Sequence, residues 1–115
     1  MHIERFAATD RLSKVLKADG HVYVSGLTAR DKSADVAAQT TDVLAQIDAY
    51  LAMAGSDKTR LLKVNIWLAE IADFAEMNRA WDAWVPAGAP PSRATVESRL
   101  AGNGNLVEMM AEALA

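Results

Sequence analysis

The feature that most constrains the fold is a strand pattern that lies between two helical patterns. Residues 61–68 alternate apolar and polar side chains, which is the period of a β-strand. Residues 36–54 and 74–85 instead repeat apolar side chains every three or four positions, which is typical of an α-helix with one buried face. The central strand needs partner strands elsewhere in the chain, and the two helices must cover the sheet that they form.

The other strand patterns lie towards the two ends of the chain. We predict strands over residues 3–6, 12–18, 21–27, 61–68, 93–100 and 106–113. Asp19-Gly20 predicts a two-residue hairpin turn between the second and third strands. The resulting order, β-β-β-α-β-α-β-β, predicts an α+β fold in which two helices pack on one face of a mixed sheet. Residues 1–115 form one domain in this interpretation, since the chain contains no linker and no repeat.

Both helices carry sequence signals at their ends. Ser33 or Asp35 can cap the first helix, and Gly55 follows its last turn at the position that favours a left-handed residue. Glu76 lies three residues after Asp73, which is the spacing of a capping box at the start of the second helix.

The sheet face away from the helices is expected to be partly apolar. The residues that we assign to it are Tyr23, Trp67, Leu106 and Met110. An open apolar face in a domain of this size is usually buried against further copies of the same chain. The sequence therefore predicts a homo-oligomer, in which a site can be built from two subunits.

Composition argues against several classes of partner. The formal net charge is −3, the pI is about 5.3 and no run of lysine or arginine occurs, so we expect no nucleic-acid partner. The chain has no cysteine, and its two histidines are 19 positions apart, so we expect neither a disulfide nor a metal. No apolar stretch is long enough to span a bilayer or to act as a secretion signal. We expect no membrane association and a cytoplasmic location.

Two charged residues in the last two strands are the main candidates for function. Arg93 begins its strand directly after two prolines, and a guanidinium can bind a carboxylate through two parallel hydrogen bonds. Glu108 alternates with apolar neighbours, which suits a group that transfers protons. Together they predict a site for a small carboxylic acid. The alternative is structural: Arg93 pairs with Glu97, or Glu108 pairs with Arg93 or Arg99 at a subunit interface.

Three further polar residues lie near this predicted cleft. Asn78 falls within the apolar stripe of the second helix, so its amide needs a partner, either a loop backbone or a ligand. Ser25 and Thr95 are strand hydroxyls without a histidine placed to act as a base, which makes a serine-type triad improbable. The tryptophans at 67, 81 and 84 are interpreted as core or interface packing.

Several motifs together resemble the RidA family, also called YjgF or RutC-like. They are Tyr23-Val24-Ser25-Gly26, Gln39-Thr40, Ala54-Gly55, the stretch from Asp73 to Asn78, the stretch from Pro91 to Glu97, and Val107-Glu108-Met109. The likeness runs from about residue 11 to the end of the chain. Arg11-Leu12-Ser13 and the stretch from Trp81 to Val85 look like the subgroup typified by the YoaB protein.

This resemblance implies a chorismate-mutase-like fold and a homotrimer with clefts between subunits. It also implies an enzyme, a cofactor-independent hydrolase acting on C=N bonds. Such enzymes deaminate reactive enamines and imines, such as 2-aminoacrylate and 2-imino acids, to 2-keto acids and ammonia. On this likeness Arg93 binds the substrate carboxylate and Glu108 positions water. Ser25, Gly26, Asn78 and Thr95 are the matching substrate-binding positions.

The chain also departs from the family pattern in ways that leave alternatives open. Many members carry a Gly-Pro-Tyr stretch whose tyrosine borders the cleft, but this chain has Arg11-Leu12-Ser13 there. Met110 stands where a second acidic residue is usual. A trimer that binds a 2-keto acid without turnover is therefore the alternative function.

Overall fold

The computed structural model describes residues 2–115. Its strands are β1 (Ile3–Ala8), β2 (Ser13–Ala18), β3 (His21–Thr28), β4 (Leu61–Leu68), β5 (Ser92–Glu97) and β6 (Val107–Leu114). Its helices are α1 (Val36–Met53) and α2 (Phe74–Trp84), with single 3-10 turns at Lys58–Arg60 and Ile71–Asp73. The predicted element order and the α+β fold are confirmed.

All six strands belong to one mixed sheet in the order β1-β2-β3-β6-β4-β5. The final strand β6 inserts between β3 and β4 and runs antiparallel to both. Only β4 and β5 pair in parallel, and α2 is the crossover that connects them. As a result β5 forms one edge of the sheet, and β4 separates it from β6.

The hydrophobic core lies between the two helices and one face of the sheet. In β6, alternate residues are buried against it: Val107, Met109, Ala111 and Ala113. The helices contribute Ile47 and Leu51 from α1 and Met77 from α2, all without exposed surface. Full burial of a side chain of this size contributes about 1.5–3 kcal/mol. We call this side of the sheet the helix face and the other side the open face.

The open face carries large apolar side chains that the single chain leaves exposed. Its partly exposed hydrophobic residues lie on β1, β3, β5 and β6: Ile3, Tyr23, Val96, Met110 and Leu114. Trp67 lies on the same face and is half-buried. The predicted apolar character of this face is confirmed, with one correction. Leu106 packs against the core instead, because β6 begins one residue later, at Val107.

A second correction concerns the start of β4. Strict alternation with Val64, Ile66 and Leu68 would bury Leu62, but this side chain is 38% exposed and Leu61 is buried in its place. The cause is an irregularity in the pairing of β4 with β6 between Leu61 and Lys63, which reverses the side-chain alternation there.

The turn and cap signals are confirmed except at the start of α2. Asp19 and Gly20 both have positive φ, as the hairpin turn requires, and Asp35 caps α1 by accepting the Ala38 amide at 2.9 Å. Asp73 makes no capping bond; it ends a 3-10 turn with φ −82° and ψ 4°, outside the extended region that an N-cap residue usually adopts. Glu76 accepts from Arg79 instead. Within residues 2–115, neither helix combines the length and apolar character needed to cross a membrane.

Candidate active site

Arg93 lies on edge strand β5 with its side chain on the helix face. Its register partner on β4 is Val64, which is buried in the core, so the two side chains share that face. The guanidinium Nη1 donates a hydrogen bond of 2.8 Å to Oδ1 of Asn78 on α2. Asn78 therefore fixes one end of the Arg93 side chain. The same bond gives the Asn78 amide the partner that a polar group in the apolar stripe of α2 needs.

Two aromatic rings of α2 flank the same guanidinium. The Arg93 Cζ atom lies 5.7 Å from the ring centre of Phe74 and 5.1 Å from that of Trp81. Residues seven apart on a helix are about two turns apart on one face, so both rings can contact the same guanidinium. Phe74, Asn78 and Trp81 thus form a slot that we call the aromatic slot. The sequence interpretation assigned Trp81 to packing, although its helical spacing from Phe74 is visible in the sequence.

Most of the Arg93 donors remain available. A guanidinium has five N–H groups, and among residues 2–115 the one acceptor bonded to Arg93 is Asn78. The expected alternative, an ion pair with Glu97, does not form within residues 2–115, because Glu97 lies four residues and about 13 Å further along the strand. The Glu97 carboxylate accepts from the Ile71 amide at 3.0 Å. The slot therefore holds a positive fork whose remaining N–H groups can bind a carboxylate.

Thr95 follows two positions later on the same face of β5. Its Oγ1 atom is buried and, within the described chain, has no hydrogen-bond partner. A buried hydroxyl without a partner is costly, so this atom calls for a ligand, a water or a neighbouring subunit. The structure thus groups Arg93, Asn78 and Thr95 beside α2.

Glu108 lies on the opposite face of the sheet. It sits between the core residues Val107 and Met109 on central strand β6, so its half-buried side chain points to the open face. Its carboxylate lies directly over the Cα atom of Gly26, where a Cβ would collide with Oε2. A larger residue at position 26 would therefore displace the Glu108 carboxylate, although the φ of Gly26 is not left-handed.

Ser25 and Gly26 form a bulge in β3. The pairing with β6 shifts between Val24 and Leu27, so neither residue has a register partner on that strand. The Ser25 hydroxyl donates to the carbonyl of Ser13 at 2.6 Å, which fixes the bulge to β2. The structure thus groups Ser25, Gly26 and Glu108 on the open face.

One chain does not bring Arg93 and Glu108 together. Their strands are consecutive in the sequence, but β4 separates them in the sheet and their side chains point to opposite faces. A single chain therefore forms no joint site from these two residues. Within residues 2–115 Glu108 makes no ion pair with an arginine, and the pair across a subunit interface stays a prediction. No group of three or more histidine and carboxylate side chains in that range is placed to hold a metal ion.

Comparison with known proteins identifies the family. Residues 2–115 match the family described as endoribonuclease L-PSP. The RutC family protein YoaB of Escherichia coli is 45% identical over 100 residues, covering 87% of each chain. A crystal structure of a YjgF-family protein from Neisseria meningitidis superposes with a TM-score of 0.96 at 46% identity, covering 99% of this chain and 95% of that one.

A more distant relative carries a name that states an activity. The chloroplastic Reactive Intermediate Deaminase A of Arabidopsis thaliana is 32% identical over 90 residues, covering 73% of this chain and 48% of that protein. The family match over nearly the whole chain and the high identity to YoaB confirm the resemblance seen in the motifs. The chain belongs to the endoribonuclease L-PSP family, which is the RutC/YjgF family that its sequence predicts.

Proposed function

We propose that the protein hydrolyses reactive 2-imino acids, and the enamines that tautomerise to them, to 2-keto acids and ammonia. The observation that carries this proposal is the Arg93 guanidinium, held by Asn78 with most of its donors free. Such a fork suits a small carboxylate, and 2-imino acids carry one next to the reactive carbon. A relative named as a reactive intermediate deaminase supports the same substrate class.

The active site in this proposal lies between subunits of a homotrimer. Arg93 and Glu108 point to opposite faces of one sheet, so a cleft that uses both needs two chains. The exposed apolar residues of the open face give such chains a surface on which to associate. Each cleft then combines Arg93, Thr95 and Asn78 of one subunit with Glu108 of the partner subunit, beside the bulge that contains Ser25 and Gly26.

The chemistry follows from binding, orientation and one proton carrier. Arg93 binds the substrate carboxylate through two parallel hydrogen bonds and so fixes the imine carbon. Glu108 orients a water molecule and accepts its proton as the oxygen attacks the carbon of the protonated imine, which gives a neutral carbinolamine. Glu108 gives this proton to the nitrogen and accepts the proton of the new hydroxyl group as the C–N bond breaks, so that ammonia and the 2-keto acid leave. No cofactor is needed, because the C=N bond is already electrophilic.

The proposal is tested with 2-iminopropionate generated in the assay from an amino acid and an amino-acid oxidase. We expect the protein to accelerate release of pyruvate and ammonia over an enzyme-free control, and Arg93→Ala to remove the acceleration with the fold intact. An Arg93→Ala variant that keeps full activity would contradict the role of Arg93.

The alternative function predicts a different result in the same experiment. A binding trimer stabilises in the presence of pyruvate but releases no ammonia from any imino acid. Saturable thermal stabilisation by pyruvate, with imine decay at the rate of the control for small and bulky imino acids alike, would replace the enzyme proposal with that function.

A further inference from the structure

We propose that Phe74 and Trp81 are positioning residues that orient the Arg93 guanidinium through cation–π contacts. The inference rests on the proposed function, in which Arg93 binds the substrate carboxylate. It concerns residues outside the predicted site, and it assigns to them the orientation of the fork instead of contact with substrate.

A single hydrogen bond leaves the guanidinium free to rotate. The bond from Nη1 to Asn78 fixes one atom, but the plane of the group can still turn about it. Arginine has several rotatable bonds, and ordering such a side chain costs conformational entropy. Contacts with two rings restrict that freedom before the ligand arrives, which favours binding.

The ring distances fit this role. Both ring centres lie within about 6 Å of Cζ, the range in which the electron-rich face of an aromatic ring attracts a cation. Arg93 is only half-buried and has no carboxylate partner among residues 2–115, so the rings supply the nearest compensation for its charge. They compensate it without occupying any N–H donor.

The two tryptophans of α2 contact different residues, so Trp84 can serve as a matched control for Trp81. Trp81 is buried and faces Arg93. Trp84 is one turn away, donates its Nε1 proton to Asp48 at 2.9 Å and lies beside the ammonium of Lys58. Both rings also pack against each other, with centres 5.5 Å apart. A purely structural effect of altering a tryptophan in this helix should therefore appear at either position.

Phe74 completes the slot at an unusual place for a phenylalanine. Its side chain is 40% exposed at the first residue of α2. Burial in the core thus accounts for only part of its contacts, while its ring face meets the guanidinium. Phe74→Leu keeps an apolar side chain at this position and removes the ring face.

The experiment replaces Trp81 site-specifically by tryptophans with one, two and four ring fluorines. Fluorine withdraws electrons from the ring face and changes its size little, so it weakens a cation–π contact in graded steps. The readouts are the Kd of pyruvate and separate values of KM and kcat for 2-iminopropionate. The same series at Trp84, and thermal unfolding of every variant, serve as controls.

We expect the Kd of pyruvate and the KM to rise with each fluorine, by about tenfold in total at position 81, while kcat changes less than twofold. The series at position 84 should leave both values unchanged. Phe74→Leu should raise the Kd about threefold, and Trp81→Phe should restore most of the affinity lost in Trp81→Leu.

Two outcomes separate this inference from the function on which it rests. If Arg93→Ala abolishes pyruvate binding but fluorination at Trp81 has no effect, or the same effect as at Trp84, the inference is wrong and the role of Arg93 stands. If Arg93→Ala binds pyruvate as tightly as the wild-type protein, both proposals are wrong.

Discussion

The two groups of candidate residues differ in how far one chain completes them. Beside α2, Arg93 already has its hydrogen-bond partner Asn78 and contacts with two aromatic rings. On the open face, Glu108 lies over Gly26 among exposed apolar residues and has no ion partner within residues 2–115. We call these the α2 half-site and the open-face half-site.

In the proposed trimer, this difference separates substrate binding at the α2 half-site from proton transfer at the open-face half-site. A group that binds substrate benefits from fixed geometry before the ligand arrives. A group that transfers protons works best when water is excluded and its position is set, and here both depend on a surface that covers the open face. In the proposed trimer, binding is thus prepared by the monomer, and chemistry becomes possible on assembly.

The largest expected effect is a loss of kcat, without a loss of pyruvate affinity, when Glu108 of the open-face half-site is replaced. Glu108→Gln removes the proton carrier but keeps the size of the side chain, so kcat should fall about 1,000-fold while the Kd of pyruvate stays within twofold. Stopped-flow imine decay and calorimetry measure the two quantities.

Glu112→Gln is the matched control for Glu108. It lies on the same strand and face, where its carboxylate is 3.1 Å from His21. This variant should keep the wild-type kcat. Equal losses in both variants would mean that any carboxylate of this face supports activity through assembly alone.

A smaller effect is expected from the shape of the cation at the α2 half-site. Arg93→Lys keeps the charge but loses the planar fork, so the Kd of pyruvate should rise about 100-fold. Arg79 pairs with Glu76 on the exposed side of α2, so the Arg79→Lys variant should bind pyruvate like the wild-type protein. Pyruvate affinity retained in Arg93→Lys would show that charge alone is recognised.

Gly26→Ala tests the contact inside the open-face half-site. The added Cβ would collide with Oε2 of Glu108, so the carboxylate must move and kcat should fall about tenfold. In a Glu108→Ala background the same substitution should cost nothing further. Additive losses in the double variant would place the effect of Gly26 in the backbone of the bulge.

The smallest expected effect concerns the contact between Arg30, which follows β3, and Asp42 in α1. Burial raises the pKa of Asp42, but hydrogen bonds from the Arg30 backbone and from Gln46, with the Arg30 charge, outweigh it and hold the pKa below 3.8. A depressed folded-state pKa contributes stability above the unfolded pKa, and this contribution is lost as the pH falls through the folded value.

Asp42→Asn should therefore lower the free energy of unfolding by about 1 kcal/mol at pH 7 and by less at pH 3. Urea unfolding at the two pH values measures the difference. Activity should not change, since the Arg30–Asp42 pair lies outside both half-sites. A difference that grows at low pH would contradict the assigned direction of the pKa shift.

Local signals in the sequence predicted the elements well, because their causes are local. The Asp19-Gly20 turn, the Asp35 cap and the alternation in β6 depend on neighbours a few residues away. The exception at the start of α2 has a local cause too. A 3-10 turn places Asp73 in a conformation that the capping spacing alone does not reveal.

The relation between the two half-sites could not be read from alternation. Alternation indicates which residues share a face of their own strand, but not which strands are neighbours or how their faces align. Pairing with β4 sends the two charged residues to opposite faces, because Arg93 pairs with Val64 and Glu108 pairs with Trp67, three positions further along that strand. The aromatic slot was missed for a different reason. Aromatic residues at helical spacing normally indicate core packing, and the sequence does not show that a charged side chain of β5 lies against them.

The most direct test of the account mixes inactive subunits. Arg93→Ala and Glu108→Gln proteins are combined in equal amounts, unfolded and refolded together, and assayed with 2-iminopropionate. In a cyclic trimer with clefts between subunits, every mixed trimer has one cleft with both residues intact. Three quarters of randomly assembled trimers are mixed, so about one quarter of the wild-type activity should return. A mixture that stays inactive, although refolding restores the wild-type control, would contradict a site shared between subunits.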